Sequence, residues 1–185
     1  MLSSDKASSA GNLNFEDNTI IDLVMPPGMQ ISPIISDIIL KYNHIFILDT
    51  QGQLYSSFNQ YGWNIGNSKR ISYTFVFSLN DLYKRIESIR VFNNFVLVLD
   101  SITFVCDVSP LSIKSFSNLL WSLVYECSAT IITINHYRID KNKNRFELIP
   151  RMGGFWRRIV SYQVEFTDLQ NAKRYRLLEN KLNEM

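Results

Sequence analysis

Phe95-Val96-Leu97-Val98-Leu99-Asp100-Ser101 is an apolar run that ends abruptly in a carboxylate and a hydroxyl. It lacks the polar alternation of a strand with one wet face, so it reads as a strand covered on both sides, as in a parallel sheet flanked by helices. Two other segments share the pattern. Ile45-Phe46-Ile47-Leu48-Asp49-Thr50-Gln51-Gly52 and Ile131-Ile132-Thr133-Ile134-Asn135-His136 also run apolar and then turn polar. Working outward, strands are expected at Thr19 to Val24, His44 to Asp49, Ser72 to Phe77, Phe95 to Leu99 and Thr130 to Asn135.

Helical stretches alternate with these strands. Pro33 to Tyr42 can begin a helix, because proline is tolerated in a first turn. Ser78 is the expected N-cap of a helix from Leu79 to Val91, with Leu82, Ile86 and Ile89 on one face. Ile113 to Cys127 is the longest helical candidate, its buried stripe being Phe116, Leu119, Leu120, Leu123 and Val124. At the end of the chain, Ile159 to Phe166 and Arg174 to Leu178 flank the polar turn Thr167 to Lys173, which predicts an antiparallel hairpin added to the sheet. The fold class is therefore α/β with a mainly parallel sheet.

A chain of 185 residues with 46% hydrophobic and 19% charged residues is too apolar for disorder. It also has no apolar run of the roughly 18 residues that a membrane helix needs. Residues 1–12, small and polar, read as a disordered N-terminal tail, leaving 13–185 as a single domain without repeats or a linker. Cys106 and Cys127 are too few for a disulfide scaffold and are expected to be reduced and buried, in an intracellular compartment. No metal is expected, since His44 and His136 lie far apart and outside any ligand-spaced cluster. Charge is uneven, with a net of −3 over residues 1–133 and +5 over residues 134–185. Such a bias suits a polyanion partner, and it equally describes a solvated basic face.

The first strand is followed by Met25-Pro26-Pro27-Gly28-Met29-Gln30-Ile31-Ser32. A phosphate-binding loop needs a glycine-rich turn, a lysine for the β and γ phosphates, and a hydroxyl for magnesium. Here Pro26, Pro27, Gly28 and Ser32 keep the frame, while Met25 and Gln30 replace two glycines and Ile31 takes the lysine position. Read on its own, the segment is also an ordinary Pro-Gly turn between strand and helix.

Taken in order, this loop, the Asp49-Thr50-Gln51-Gly52 ending, the Asp100-Ser101 ending, the Thr133-Ile134-Asn135-His136 strand and Pro150-Arg151-Met152-Gly153-Gly154-Phe155-Trp156 resemble the ATPase core of the RecA/RadA recombinase family. The resemblance spans about residues 11–180, with gaps, and only the whole series is specific. It implies a RecA-like P-loop ATPase core with a mainly parallel central sheet, flanking helices and a C-terminal antiparallel hairpin. It also implies what is lost. The glutamate that activates water in the family matches Gln51, which accepts no proton at neutral pH; the lysine matches Ile31; and the γ-phosphate-sensing glutamine matches His136. Of the magnesium machinery only Asp100 and Ser32 remain, so Gly28, Ser32 and Asp100 form a vestigial nucleotide site, with no cofactor, no metal and no catalysis expected. Asp100 can instead simply end its strand and cap the next turn.

In the family, DNA lies on two loops. The first is shortened here to about Cys106 to Leu111 without a basic residue, while the second corresponds to Tyr137 to Pro150 and carries Arg138, Lys141, Lys143 and Arg145. Arg151, Arg157 and Arg158 continue the charge, and Tyr137 or Phe146 offers a ring for an unpaired base. Otherwise residues 141–144 are a solvated turn, Arg157 and Arg158 pair with a partner chain, and Phe155 and Trp156 are core or interface aromatics. Only about 17 residues precede the first strand, so the family's N-terminal assembly domain is expected to be missing and Phe15 to be a packing residue. Tyr55, Phe58, Tyr61 and Trp63 are expected to form an exposed aromatic surface that a partner subunit covers.

The resemblance therefore implies a non-catalytic recombinase paralogue, most similar to the non-ATPase subunits of the Shu-type recombination-mediator complex. Such a protein is nuclear, pairs with other paralogues as a heterodimer or larger complex, and binds single-stranded or forked DNA to promote recombinase filament assembly in homologous recombination and DNA repair. The alternative is a RecA-like structural subunit of a non-recombination complex such as an Elongator-type ring.

Overall fold

The structure is a computed structural model that describes residues 15–26, 29, 31, 35, 39, 41–60, 68–103, 110–142, 145–166 and 172–176. Its strands are β1 (Ile20–Met25), β2 (His44–Asp49), β3 (Ile71–Phe75), β4 (Phe95–Asp100), β5 (Thr130–Asn142), β6 (Arg145–Pro150), β7 (Tyr162–Phe166) and β8 (Ala172–Arg176). Between them lie α1 (Leu54–Gln60), α2 (Leu79–Ser88), α3 (Pro110–Cys127) and α4 (Gly153–Arg157). The sheet runs β3-β2-β4-β5-β1-β7-β8, parallel from β3 to β7 and antiparallel between β7 and β8, as the apolar runs and the terminal hairpin predict.

The period of two along each strand divides the core into two layers. Phe46, Leu48, Leu97, Leu99 and Ile131 face α2 and α3, where Leu82, Ile86, Ile89, Phe116, Leu120, Leu123 and Val124 meet them. Ile45, Ile47, Val96, Val98, Ile132 and Ile134 face the opposite layer, built from Ile31, Ile35, Ile39, Leu54 and Phe58. Both stripes expected of the helices are thus the packed ones, with Leu119 partly buried at the margin. Phe15 packs its ring edgewise on Tyr162 at 5.5 Å, a packing role as expected. Among the described residues no helix is long and apolar enough to cross a membrane.

Local chemistry explains the boundaries. Ser78 Oγ accepts from the Asp81 amide at 3.1 Å and caps α2, while the helix stops at Ser88, short of the expected Val91, with Ile89 as its C-cap. β3 lies two residues earlier at its end than expected, so Phe77 is outside the ladder and 79% exposed. Phe58 is fully buried against the sheet and does not belong to an exposed aromatic surface; Tyr55 is exposed, and Tyr61 and Trp63 lie outside the described residues. Cys127 is a buried free thiol as expected, whereas Cys106 and residues 1–12 lie outside the described residues.

The largest departure is in the segment 137–150, expected as a loop. β5 continues past the sheet for a total of 13 residues and returns as β6, with Tyr137 opposite Pro150 and Asn142 opposite Arg145. Alternating β-formers, Tyr137 and Ile139 on one strand and Phe146 and Leu148 on the other, make the segment a two-stranded ribbon instead of a flexible loop.

Candidate functional site

In an open parallel sheet ligands sit beyond the carboxyl ends of the strands. Here the carboxyl ends of β1, β2, β4 and β5 bring Met25, Asp49, Asp100 and His136 side by side, since Met25 pairs with His136 and Asp49 with Asp100 in register. The three polar strand endings singled out in the sequence therefore meet at one edge, beside the last residue of β1.

Asp49 is fully committed to structure. Its Oδ1 accepts the amides of Gln51 at 2.8 Å and Gly52 at 2.7 Å, and its Oδ2 accepts the Leu54 amide and the Tyr73 hydroxyl, each at 2.9 Å. The carboxylate thereby organises the turn into α1, where Gly52 takes φ +75° and a Cβ would stand 3.2 Å from the Phe75 ring, close enough that the ring would have to give way slightly. Asp100 beside it is only 6% exposed, and burial together with the Asp49 charge pushes its carboxyl up to about 7. The peptide that joins it to Ser101 is cis, and the Ser101 amide donates to Thr50 Oγ1 at 2.9 Å.

Gln51 and His136, the positions of the water-activating glutamate and the γ-phosphate sensor in the resemblance, touch each other, Nε2 to Nε2 at 3.3 Å. The His136 ring is also held by the Met25 backbone, and burial keeps its pKa below the ordinary imidazole value, so it is neutral at pH 7. Ile31 is 4% exposed and packs with Ile35 and Ile39 into the core. A side chain turned into an apolar layer contributes nothing to an anion. Gly28 and Ser32 lie outside the described residues, so of the vestigial set the structure positions Asp100.

Thr133 and Asn135 serve a different purpose. Both donate to Asp22, a fully buried carboxyl in the middle of β1, at 2.8 and 3.1 Å, and Gln163 adds a third donor at 2.9 Å from β7. Burial raises the Asp22 pKa despite these bonds. Asn135 Oδ1 also accepts the Met152 amide at 3.3 Å, tying β5 to the turn before α4. This cluster went unread in the sequence, where its one signal is an aspartate inside an otherwise apolar strand.

The cations expected to meet DNA are distributed over the ribbon and its foot. Arg138 is exposed on β5; Lys141 and Arg145 take register positions opposite Phe146 and Asn142; and Lys143 lies outside the described residues. Arg151 is exposed where β6 ends, with its amide bound to His136 O at 2.8 Å, and Arg158 is exposed at the C-cap of α4. Arg157 stands 3.9 Å from Glu165 within the same chain. Next to it Phe155 is 44% exposed, while Trp156 is fully buried and stacks on Phe116.

One further concavity was not foreseen. An open groove of about 320 Å³ runs between the outer strands and α2, lined by Phe46, Ser72 and Phe92 with Lys69, Arg70 and Arg85 around it. Lys69 and Arg70 adjoin in the sequence, and Arg85 meets them only once β3 and α2 pack.

This architecture is a RecA-like fold. The solved structures similar to it include the RadB recombinase, with 14% identity, 88% of each chain covered and a TM-score of 0.56. A KaiC-like protein, PH0186, from Pyrococcus horikoshii OT3 matches at 16% identity and a TM-score of 0.60, over 89% of this chain and 82% of the other. An ATPase from the type III secretion system of pathogenic bacteria matches at 17% identity and a TM-score of 0.58, over 82% of this chain and 51% of the other. No protein-family model matches the sequence, and no curated protein matches it at the sequence level.

Proposed function

We propose that this chain is a non-catalytic RecA-like recombinase paralogue that pairs with other paralogues and contacts DNA in homologous recombination. The observation that carries the reading is the state of the nucleotide edge. Ile31 is buried where a lysine would reach phosphate, and Gln51 is spent on His136 where a glutamate would activate water. An arrangement with neither the cation nor the general base supports assembly over hydrolysis.

Pairing draws support from the groove beside β3, which among the described residues is the outermost strand of the sheet on that side. An open edge flanked by cations suits an extended, acidic segment of a partner subunit. DNA contact draws support from Arg138, Arg151 and Arg158, each of them exposed, since a phosphate backbone gains from every neutralised charge. Likeness to the RadB recombinase favours this branch over a scaffold in another assembly. Nuclear localisation and kinship with a Shu-type complex belong to the same proposal.

The test is affinity purification of the tagged protein from its own cells with mass spectrometry of the co-purifying chains. Recombinase paralogues or the recombinase are the expected catch. A tRNA-modifying assembly without recombination proteins would keep the fold and replace the function with the Elongator-type reading. ATP turnover that is lost in Asp100→Ala would overturn the non-catalytic assignment.

A further inference from the structure

The groove between β3 and α2 collects charge of one sign. Lys69 and Arg70 reach it from the start of β3 and Arg85 from α2, and among the described residues none of its lining is acidic. Arg70 donates to the Tyr42 carbonyl, a neutral acceptor that leaves its charge in place, while Arg85 uses its Nε on Asp81 at 3.2 Å. A guanidinium has five N–H donors in a fixed fork, so each of the two can serve more than one acceptor.

A hydroxyl stands among these cations. Ser72 lies opposite Phe46 in the register, on the strand face that meets α2, and it is exposed. Thr74 shares that face but is half-buried, and Ser88 Oγ already donates to the Arg85 carbonyl at 2.7 Å. The sequence around Ser72 is Lys69-Arg70-Ile71-Ser72, with basic residues three and two places before the hydroxyl. That spacing is a charge pattern by which kinases with an acidic substrate cleft choose a serine. β3 also presents it in a suitable form, because the strand is extended and among the described residues pairs with β2 alone.

We propose that Ser72 is a phosphorylation site, its phosphate held by Arg70 on its own strand and by Arg85 across the groove. In the transfer, Ser72 Oγ bonds to the γ-phosphorus of ATP as the bond from that phosphorus to the β–γ bridging oxygen breaks. ADP leaves, and the hydroxyl proton passes to the catalytic aspartate of the kinase. The new group carries about −1.5 to −2 charge at pH 7 and three strong acceptor oxygens, enough to meet both guanidinium groups and to cancel most of the charge of the groove. Modification therefore ties β3 to α2 and turns an anion-attracting groove into a nearly neutral one. No partner chain is needed for this, so the site stands or falls apart from the pairing proposed above.

The test treats the full native chain with ATP and the catalytic subunit of the cAMP-dependent protein kinase, which selects serines behind such a basic pair, and locates phosphate by mass spectrometry. Ser72 is the expected acceptor. Ser72→Ala should lose that phosphopeptide, and Arg70→Ala should slow its formation by about tenfold or more. Phosphorus NMR then follows the phosphate through its second ionisation. Held by two arginines it should titrate at about 5.5 or below, against about 6 for a free phosphoserine, and should move back toward 6 in Arg85→Gln and in urea. Arg85→Gln leaves the sequence before Ser72 intact, so the kinase still modifies it. Phosphate found only at other serines, or a phosphate at Ser72 that titrates in the folded chain as it does in urea, overturns the proposal.

Discussion

Two buried aspartates carry opposite lessons at the scale of the residue. Asp22 is an acceptor for three side chains from two other strands, so Asp22→Ala leaves Thr133, Asn135 and Gln163 with buried donors to satisfy. The expected loss is about 3–5 kcal/mol, measured by urea denaturation, because each unsatisfied buried group costs about 1–3 kcal/mol. Among the described residues no side chain donates a hydrogen bond to Asp100, and its carboxyl is pushed up to about 7 by burial and the Asp49 charge. A carboxyl raised above its unfolded value of about 4 binds more protons in the folded state, so its contribution is intact below that value and is lost as the pH rises through about 7. Asp100→Asn removes that penalty. The expected outcome is a gain on the order of 1–4 kcal/mol at pH 8 that vanishes near pH 4, read from the melting temperature across pH. A gain of equal size at both pH values would show that Asp100 acts through packing and not through charge.

Elements form where local signals agree, and they differ from expectation where a tertiary neighbour intervenes. The cap at Ser78 was legible because a hydroxyl before an amphipathic stripe has few other uses, and the Asp81 amide meets it at 3.1 Å. Ser78→Ala should therefore cost about 1 kcal/mol in chemical denaturation, and Ser78→Asp should restore most of it. Gly52 was quoted in the sequence as part of a motif, yet its φ of +75° and the Phe75 ring at 3.2 Å give it a structural reason to be glycine. Gly52→Ala is expected to cost about 1–2 kcal/mol by the same measurement. The β5–β6 ribbon was not legible as such. Charges between Tyr137 and Pro150 suggested a solvated loop, while the strand propensity of the alternate residues, continuous with a buried strand, extends the ladder instead.

Across the whole molecule the basic surplus of residues 134–185 becomes a geometric feature, since Arg138, Arg151 and Arg158 are exposed around the ribbon and α4. Arg138→Glu with Arg158→Glu should lower affinity for single-stranded oligonucleotides at least tenfold at low salt and make the logarithm of affinity fall less steeply with salt. Unchanged affinity and slope would remove these cations from the DNA account. The sequence by itself determined the parallel sheet and the two helix stripes, because these depend on the periodicity of apolar residues. Only the tertiary structure decided that Thr133 and Asn135 serve Asp22, that Phe58 is core, that Lys69, Arg70 and Arg85 share a groove, and that Gln51 meets His136. Each of those contacts joins residues distant along the chain, and a pairing of that kind exists only after strand order and register have brought the two sides together.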